Sequence, residues 1–217
     1  MPPSRRVRSD VSRGDRSDLR PWQEAFARHR YLILQSVLTD PLLAVAHQYA
    51  LKRVRFSRES DDVQVPGAPG FYADPLMETL LELATSVVRG FSGVEPLPTY
   101  SYLRVYGRGT VLNPHVDRPA CEISLTLTLG YDGESPWPLY LATPDGVQTA
   151  VLAPGDALLY RGQECAHWRG ELTGEYHAQL FLHYVDAAGP YTRWRYDKRK
   201  AIGVRHAPFP PLTARTR

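Results

Sequence analysis

Residues 100–117 read YSYLRVYGRGTVLNPHVD, and the period of this stretch decides how the second half of the chain folds. Tyr100, Tyr102, Arg104 and Tyr106 alternate with Ser101, Leu103 and Val105. A period of two belongs to a strand whose faces meet different surroundings. The same alternation returns downstream. Ile123, Leu125, Leu127 and Leu129 oppose Glu122, Ser124, Thr126 and Thr128, and later Ala178, Leu180, Leu182 and Tyr184 oppose His177, Gln179, Phe181 and His183. Further short strands are expected at 137–142, 147–152 and 156–160. Turn signals separate them at Asp132-Gly133, Pro144-Asp145-Gly146 and Pro154-Gly155. A polar strand face can simply meet water. These faces, however, carry neither Lys nor a run of acids, so they are read as lining a cavity inside a rolled sheet.

Upstream the period is helical. A helix is expected from Asp18 to about Ser36, with Asp18 at the N-cap, Pro21 in the first turn, and Trp22, Phe26, Leu32 and Leu34 as its apolar residues. Another starts at Asp40-Pro41, and a third at Asp74-Pro75 with a Leu76, Leu80, Leu83, Val87 stripe ending near Gly90. Between them, 57–70 reads as a loop. Helices followed by many short strands predict an α+β fold with a jelly-roll core, its leucine face packed on the N-terminal helices. The expected organisation is a single structural domain. It comprises a disordered basic arm over 1–17, a helical support layer over 18–95, a β core over 96–190 and a basic extension over 191–217.

The chain of 217 residues has 43% hydrophobic and 23% charged residues, ordinary values for a soluble protein, and a formal charge of +3. Arginines crowd both ends (Arg5, Arg6, Arg8, Arg13, Arg16 and Arg20; then Arg193, Arg195, Arg199 and Arg205). Such ends can grip nucleic acid, but these lack a folded recognition module or interleaved aromatics, which argues against that partner. Two cysteines, Cys121 and Cys165, exclude a disulfide framework and point to a reducing cytoplasm. No apolar run is long enough for a membrane span, and the N-terminus has no secretory core. There is no internal repeat, and nothing in the sequence addresses oligomeric state.

The chemistry concentrates in a few residues. His115 and Asp117 are two apart, so in extended chain both side chains share a face. Fifty residues on, GDALLYRGQECAHW ends in His167. Two histidines and one carboxylate on strands form the facial triad of non-haem Fe(II) oxygenases, which leaves coordination positions open. Cys165, two before His167, is a conceivable further ligand, although a small buried hydrophobe is its default role.

From about Tyr100 to Val185 the chain resembles the Fe(II)/2-oxoglutarate-dependent dioxygenases of the prolyl-4-hydroxylase-like branch. The resemblance rests on Tyr106-Gly107, Pro114-His115-Val116-Asp117, the leucine-rich strand, Gly155-Asp156 and His167. It implies a double-stranded β-helix flanked by helices, with iron ligands His115, Asp117 and His167. It also implies 2-oxoglutarate and O2 as co-substrates, and succinate and CO2 as co-products. Related halogenases lose the carboxylate, so the retained Asp117 favours hydroxylation. The family places an Arg or Lys about ten residues after the distal histidine to hold the distal carboxylate of 2-oxoglutarate; here that position is His177. A neutral imidazole at His177 can hydrogen-bond that carboxylate, which keeps it among the candidate co-substrate residues, but it cannot replace a bidentate guanidinium. Arg169 and Arg104 are the candidates to supply the charge, with Tyr106 at a position whose phenol contacts the co-substrate. Two other readings compete: a cupin-like metalloprotein that does not use 2-oxoglutarate, and a non-catalytic protein whose basic tails bind nucleic acid. The substrate class expected is a small polar molecule or a peptide side chain.

Overall fold

The computed structural model describes residues 6–8, 19–56, 65, 68–133 and 136–203. Most of the expected basic arm, the N-cap assigned to Asp18, much of the 57–70 loop and the chain after 203 lie outside the described residues. In chain order the elements are β1 (Arg6–Arg8), α1 (Arg20–His29), β2 (Tyr31–Gln35), α2 (Asp40–Phe56), β3 (Gly70–Tyr72) and α3 (Pro75–Ser92). The eight core strands follow: β4 (Pro96–Gly107), β5 (Leu112–His115), β6 (Ile123–Tyr131), β7 (Leu139–Thr143), β8 (Gly146–Ala150), β9 (Ala157–Tyr160), β10 (His167–Arg169) and β11 (Tyr176–Asp186).

Two sheets share these strands. The larger has the order β1-β2-β9-β6-β11-β4-β3, the smaller β5-β10-β7-β8. From β4 to β11 the chain passes back and forth between them, so the two sheets wind together as a double-stranded β-helix. The alternation read from the sequence is the one observed. Leu103, Val105, Leu125, Leu127, Leu180 and Leu182 face outward and join Phe26, Met77, Leu81 and Phe91 of the helices in one buried cluster. Burying a continuous apolar face is the main driving force for docking such a helical layer. The opposite face turns into the roll, where Ser124, Thr126, Thr128 and Gln179 are at most 1% exposed.

Helix α3 begins where local chemistry dictates. The Asp74 carboxylate accepts from the backbone N–H of Leu76 at 3.1 Å and of Met77, and Pro75 occupies the first turn. Asp74 also accepts from Tyr49 Oη at 2.7 Å and Arg53 Nε at 3.0 Å, which ties α2 to α3. Asp74→Ala is therefore expected to lower the unfolding free energy by about 2 kcal/mol, a lost cap plus stranded buried partners. Chemical denaturation with Asp74→Asn as the cap-preserving comparison checks it.

Three expectations are corrected. The helix predicted to run to Ser36 stops at His29, because Arg30 adopts a left-handed conformation (φ 71°) and its N–H bonds Phe26 O. Leu32 and Leu34 therefore lie on strand β2, which pairs with β9, and Leu19 rather than Asp18 occupies the α1 N-cap. Helix α3 continues past Gly90 to Ser92 and closes at Gly93, whose φ of 74° suits glycine. Within the stretches assigned to tails, Arg6–Arg8 form a parallel edge strand on β2. Residues Thr192–Lys198 form short turns on either side of a kink at Arg195–Asp197 and fold on the core. Arg199 is buried there, donating to both Glu78 oxygens at 3.0 and 2.5 Å. No described helix is long and apolar enough to cross a membrane.

Candidate metal centre

The triad forms where the two sheets meet. His115 ends β5 and His167 begins β10, and the two are direct antiparallel register partners. Their ring centroids lie 4.2 Å apart. Asp117 follows in the loop after β5, with its backbone N–H bonded to Gly162 O at 2.9 Å. One ligand atom from each of His115, Asp117 and His167 lies within 4.8 Å of the others, and His167 Nε2 is 3.7 Å from Asp117 Oδ1.

Backbone carbonyls set the tautomers. His115 Nδ1 is 2.8 Å from Asn113 O, and His167 Nδ1 is 3.0 Å from Cys165 O. A carbonyl only accepts, so each Nδ1 carries the hydrogen and each Nε2 keeps the lone pair that a metal requires. Burial lowers the His167 pKa, which keeps the ring neutral. Asp117 Oδ2 is held by Ser124 Oγ at 3.0 Å and Tyr160 Oη at 3.3 Å, so Oδ1 is the oxygen presented to His167. Behind the carboxylate sits Gly162. A Cβ there would collide with Asp117 Oδ2, Cys121 O and Ser124 Oγ, so the carboxylate occupies a cradle that only glycine leaves open.

A cavity of about 440 Å³ opens on this triad, and Tyr100, Tyr102, Arg104, Tyr106, Phe181 and His183 contribute to its lining. All three metal-ligand candidates are among its lining residues. The donor set fits a divalent iron centre with open positions: two neutral imidazoles and one carboxylate, oriented by second partners.

Beyond Tyr106 lies a buried polar cluster. Arg169, two residues after His167 and 3% exposed, donates to Trp137 O and to Gln179 Oε1 at 3.4 Å. Its guanidinium stacks on the Trp137 ring at 4.7 Å. Among the described residues no carboxylate pairs with it. Burial brings its pKa down to about 10, so it stays cationic at neutral pH. Arg104 lines the cavity, donates to Tyr102 Oη at 3.0 Å and lies over the Tyr102 and Tyr106 rings. Burial raises the Tyr106 pKa, and the nearby Arg104 and Arg169 charges oppose that rise. His177 donates from Nε2 to Gln179 Oε1 at 2.7 Å, and burial drops its pKa to about 3. It is a neutral hydrogen-bonding group and brings no positive charge.

At the mouth, Arg118 donates both Nη groups to Asp197, each at 2.8 Å, and Asp197 also accepts from Tyr72 Oη at 2.6 Å. Tyr196, Asp197 and Lys198 all have positive φ (54°, 52° and 63°), a strained run held by these bonds. Cys165 is buried in the interior apolar cluster, with its pKa raised to about 11 by desolvation. The sequence offered no signal for Gly162, for the Tyr160 bond to the carboxylate, or for the approach of Cys121 and His183 to Asp117. The placements of Gly162, Tyr160 and His183 depend on long-range pairing of β6, β9 and β11, and that of Cys121 on the local turn Pro119–Cys121.

No family model and no curated protein matches the sequence. Solved structures match the fold. A Pseudomonas putida prolyl-4-hydroxylase superposes with a TM-score of 0.64 at 16% identity, over 79% of this chain and 100% of that one. The α-ketoglutarate-dependent epimerase SnoN from nogalamycin biosynthesis gives 0.67 at 16% identity, over 80% and 82%. EctD from S. alaskensis, solved with 2-oxoglutarate and 5-hydroxyectoine, gives 0.62 at 16% identity over 86% of each chain. The chain thus has the double-stranded β-helix fold of the non-haem Fe(II)/2-oxoglutarate-dependent oxygenases.

Proposed function

We propose that the protein is an Fe(II)- and 2-oxoglutarate-dependent oxygenase that hydroxylates a small polar molecule or a peptide side chain, with succinate and CO2 as co-products. The observation that carries this reading is Arg169, a buried cation without a carboxylate partner among the described residues, whose charge is felt by Tyr106 and Tyr160 of the cavity wall. Buried charges persist in proteins when an anion neutralises them. A cupin-like metalloprotein without a dicarboxylate co-substrate has no use for such a charge.

In this reading His115, Asp117 and His167 hold the iron. Iron supplies the activation of O2 that couples decarboxylation of 2-oxoglutarate to oxidation of the substrate. The chain does the rest. Asn113 O, Cys165 O, Ser124 and Tyr160 fix the ligands so that no reorganisation is needed on binding. Arg169 and Arg104 supply charge-assisted donors for the distal carboxylate, with the Tyr106 hydroxyl between them, and His177 holds Gln179 in place. Tyr100, Tyr102 and Phe181 form an aromatic rim that excludes water around a bound substrate. Part of the C-terminal charge is already engaged, as in the Arg199–Glu78 pair, which weakens the nucleic-acid alternative.

Anaerobic titration of the protein with Fe(II) and then 2-oxoglutarate tests the reading. A weak visible metal-to-ligand charge-transfer band saturating at one equivalent of each, followed by succinate formation on admitting O2, is the expected result. Iron binding without the band favours the cupin-like reading. Absence of both, with salt-dependent binding to nucleic acid, favours the binding-protein reading.

A further inference from the structure

We propose that the cavity contains a second cation site, formed by Asp117, Cys121 and His183, that takes a thiophilic divalent cation of the zinc class. One ligand atom from each of these residues lies within 4.8 Å of the other two. They arrive from the loop after β5, from the end of the 3₁₀ turn Pro119–Cys121, and from β11. All three line the cavity.

The orientation of His183 points to a ligand. The residue is 5% exposed, and its Nδ1 is 3.0 Å from Ser124 Oγ. The single hydroxyl hydrogen of Ser124 goes to Asp117 Oδ2, which can only accept. His183 must therefore donate from Nδ1, leaving the lone pair on Nε2. That nitrogen makes no hydrogen bond to the described residues, in a side chain that lines the cavity. His115 and His167 are held the same way, each with Nδ1 bonded and Nε2 free for a metal. Three imidazoles around one cavity thus share the arrangement of metal ligands, and the triad uses two.

Cys121 supplies a soft donor. Its thiol is 2% exposed and 3.1 Å from Tyr100 Oη, and a phenol hydrogen there is a second partner suited to a metal thiolate. On binding, the S–H bond breaks, a sulfur–metal bond forms and one proton leaves to solvent, with no change of oxidation state. A thiolate and a carboxylate neutralise a dication. The nearby Arg118 charge is already paired with Asp197. Thiolate, imidazole and carboxylate donors suit zinc or cobalt, while the all-hard triad suits iron. The two sites share the Asp117 carboxylate. This proposal does not depend on 2-oxoglutarate being the co-substrate.

Cobalt(II) titration of the full-length apoprotein tests it, because a cobalt thiolate gives an intense near-ultraviolet charge-transfer band that histidine and carboxylate ligands do not. The band is expected in the wild-type protein and in His115→Ala. It should be absent in Cys121→Ser, while the weaker visible cobalt absorption from the triad persists there and shows that the variant is folded. His183→Ala should bind at the thiolate site roughly 10-fold or more weakly, and zinc should bleach the band. A wild-type protein without the band overturns the proposal. So does a band that survives in Cys121→Ser, which assigns it to Cys165.

Discussion

Replacing Arg169 with methionine is expected to weaken 2-oxoglutarate binding about 100-fold while leaving iron binding intact; hydrogen bonds to charged groups contribute roughly 1.5–3 kcal/mol each, and more where water is excluded. The reasoning starts from burial. Arg169 is 3% exposed and donates only to neutral acceptors, Trp137 O and Gln179 Oε1. These bonds satisfy part of the guanidinium but do not cancel its charge. A dicarboxylate entering from the triad side would. The clean readout is the stabilisation produced by the ligand. At a concentration near 100 times the wild-type Kd, 2-oxoglutarate should stabilise wild-type protein by about 2.7 kcal/mol and the variant by about 0.4 kcal/mol. Arg169→Lys keeps the charge but loses the planar fork, and should fall between. A ligand-induced thermal shift in Arg169→Met equal to wild type would leave the carboxylate to Arg104 alone.

This arrangement also explains what was legible in the sequence. The strands β4, β6 and β11 were readable because each separates an apolar helix-facing side from a polar interior, and that separation writes a period of two. The start of α3 was readable because Asp74 and Pro75 act within one turn. Strand β2 was misread as helix because its residues follow α1 after a single left-handed residue, and its partner β9 lies more than a hundred residues away. Strand β10 has three residues, too few for any period. The candidate triad could be proposed because two of its residues are neighbours in sequence and the third closes a recognisable segment, and the fold brings the three within reach of one another. The co-substrate end could not be settled the same way. Spacing placed His177 where a cation was expected; in the fold it bonds Gln179, and the proposal gives the charge to Arg169 instead. Likewise, Arg199 looked like part of a solvated tail, yet it pairs with Glu78 across 121 positions.

The interior polar residues form a graded series along the roll. Near the triad, Ser124 and Tyr160 orient the carboxylate. Farther in, Thr126, Thr128 and Gln179 form a hydrogen-bonded ladder, with Gln179 Nε2 donating to Thr126 Oγ1 at 2.7 Å and Thr128 Oγ1 donating to Gln179 Oε1 at 3.2 Å. Gln179 Oε1 also receives His177 and Arg169. Connected networks of this kind rigidify a site because displacement strands buried partners, although His177 Nδ1 is left without one among the described residues. The ladder therefore links the position of Arg169 to the sheet that carries His183 and, through Ser124, to Asp117.

The second large effect is expected at Gly162. Gly162→Ala should weaken iron binding by about 100-fold or more, at the upper end of what second-partner substitutions cause, because it acts on a ligand directly. The added methyl would fall on Asp117 Oδ2, Ser124 Oγ and the Cys121 carbonyl. The last is backbone and cannot rotate away. The glycine cannot retreat either, since its carbonyl accepts from Asp117 N at 2.9 Å and its N–H donates to Glu122 O at 3.2 Å. Both the carboxylate and the local backbone must then give, and moving the carboxylate breaks both the Ser124 and Tyr160 bonds that aim Oδ1 at His167. Backbone strain plays no part in this expectation, because Gly162 is not among the glycines with positive φ. Gly170→Ala is the matched control: nothing lies within 4 Å of its added carbon, and it should bind iron like wild type. Isothermal titration of Fe(II) under anaerobic conditions separates the two variants. Equal affinities would mean that Asp117 does not hold the metal, and the triad would have to be rebuilt around another carboxylate.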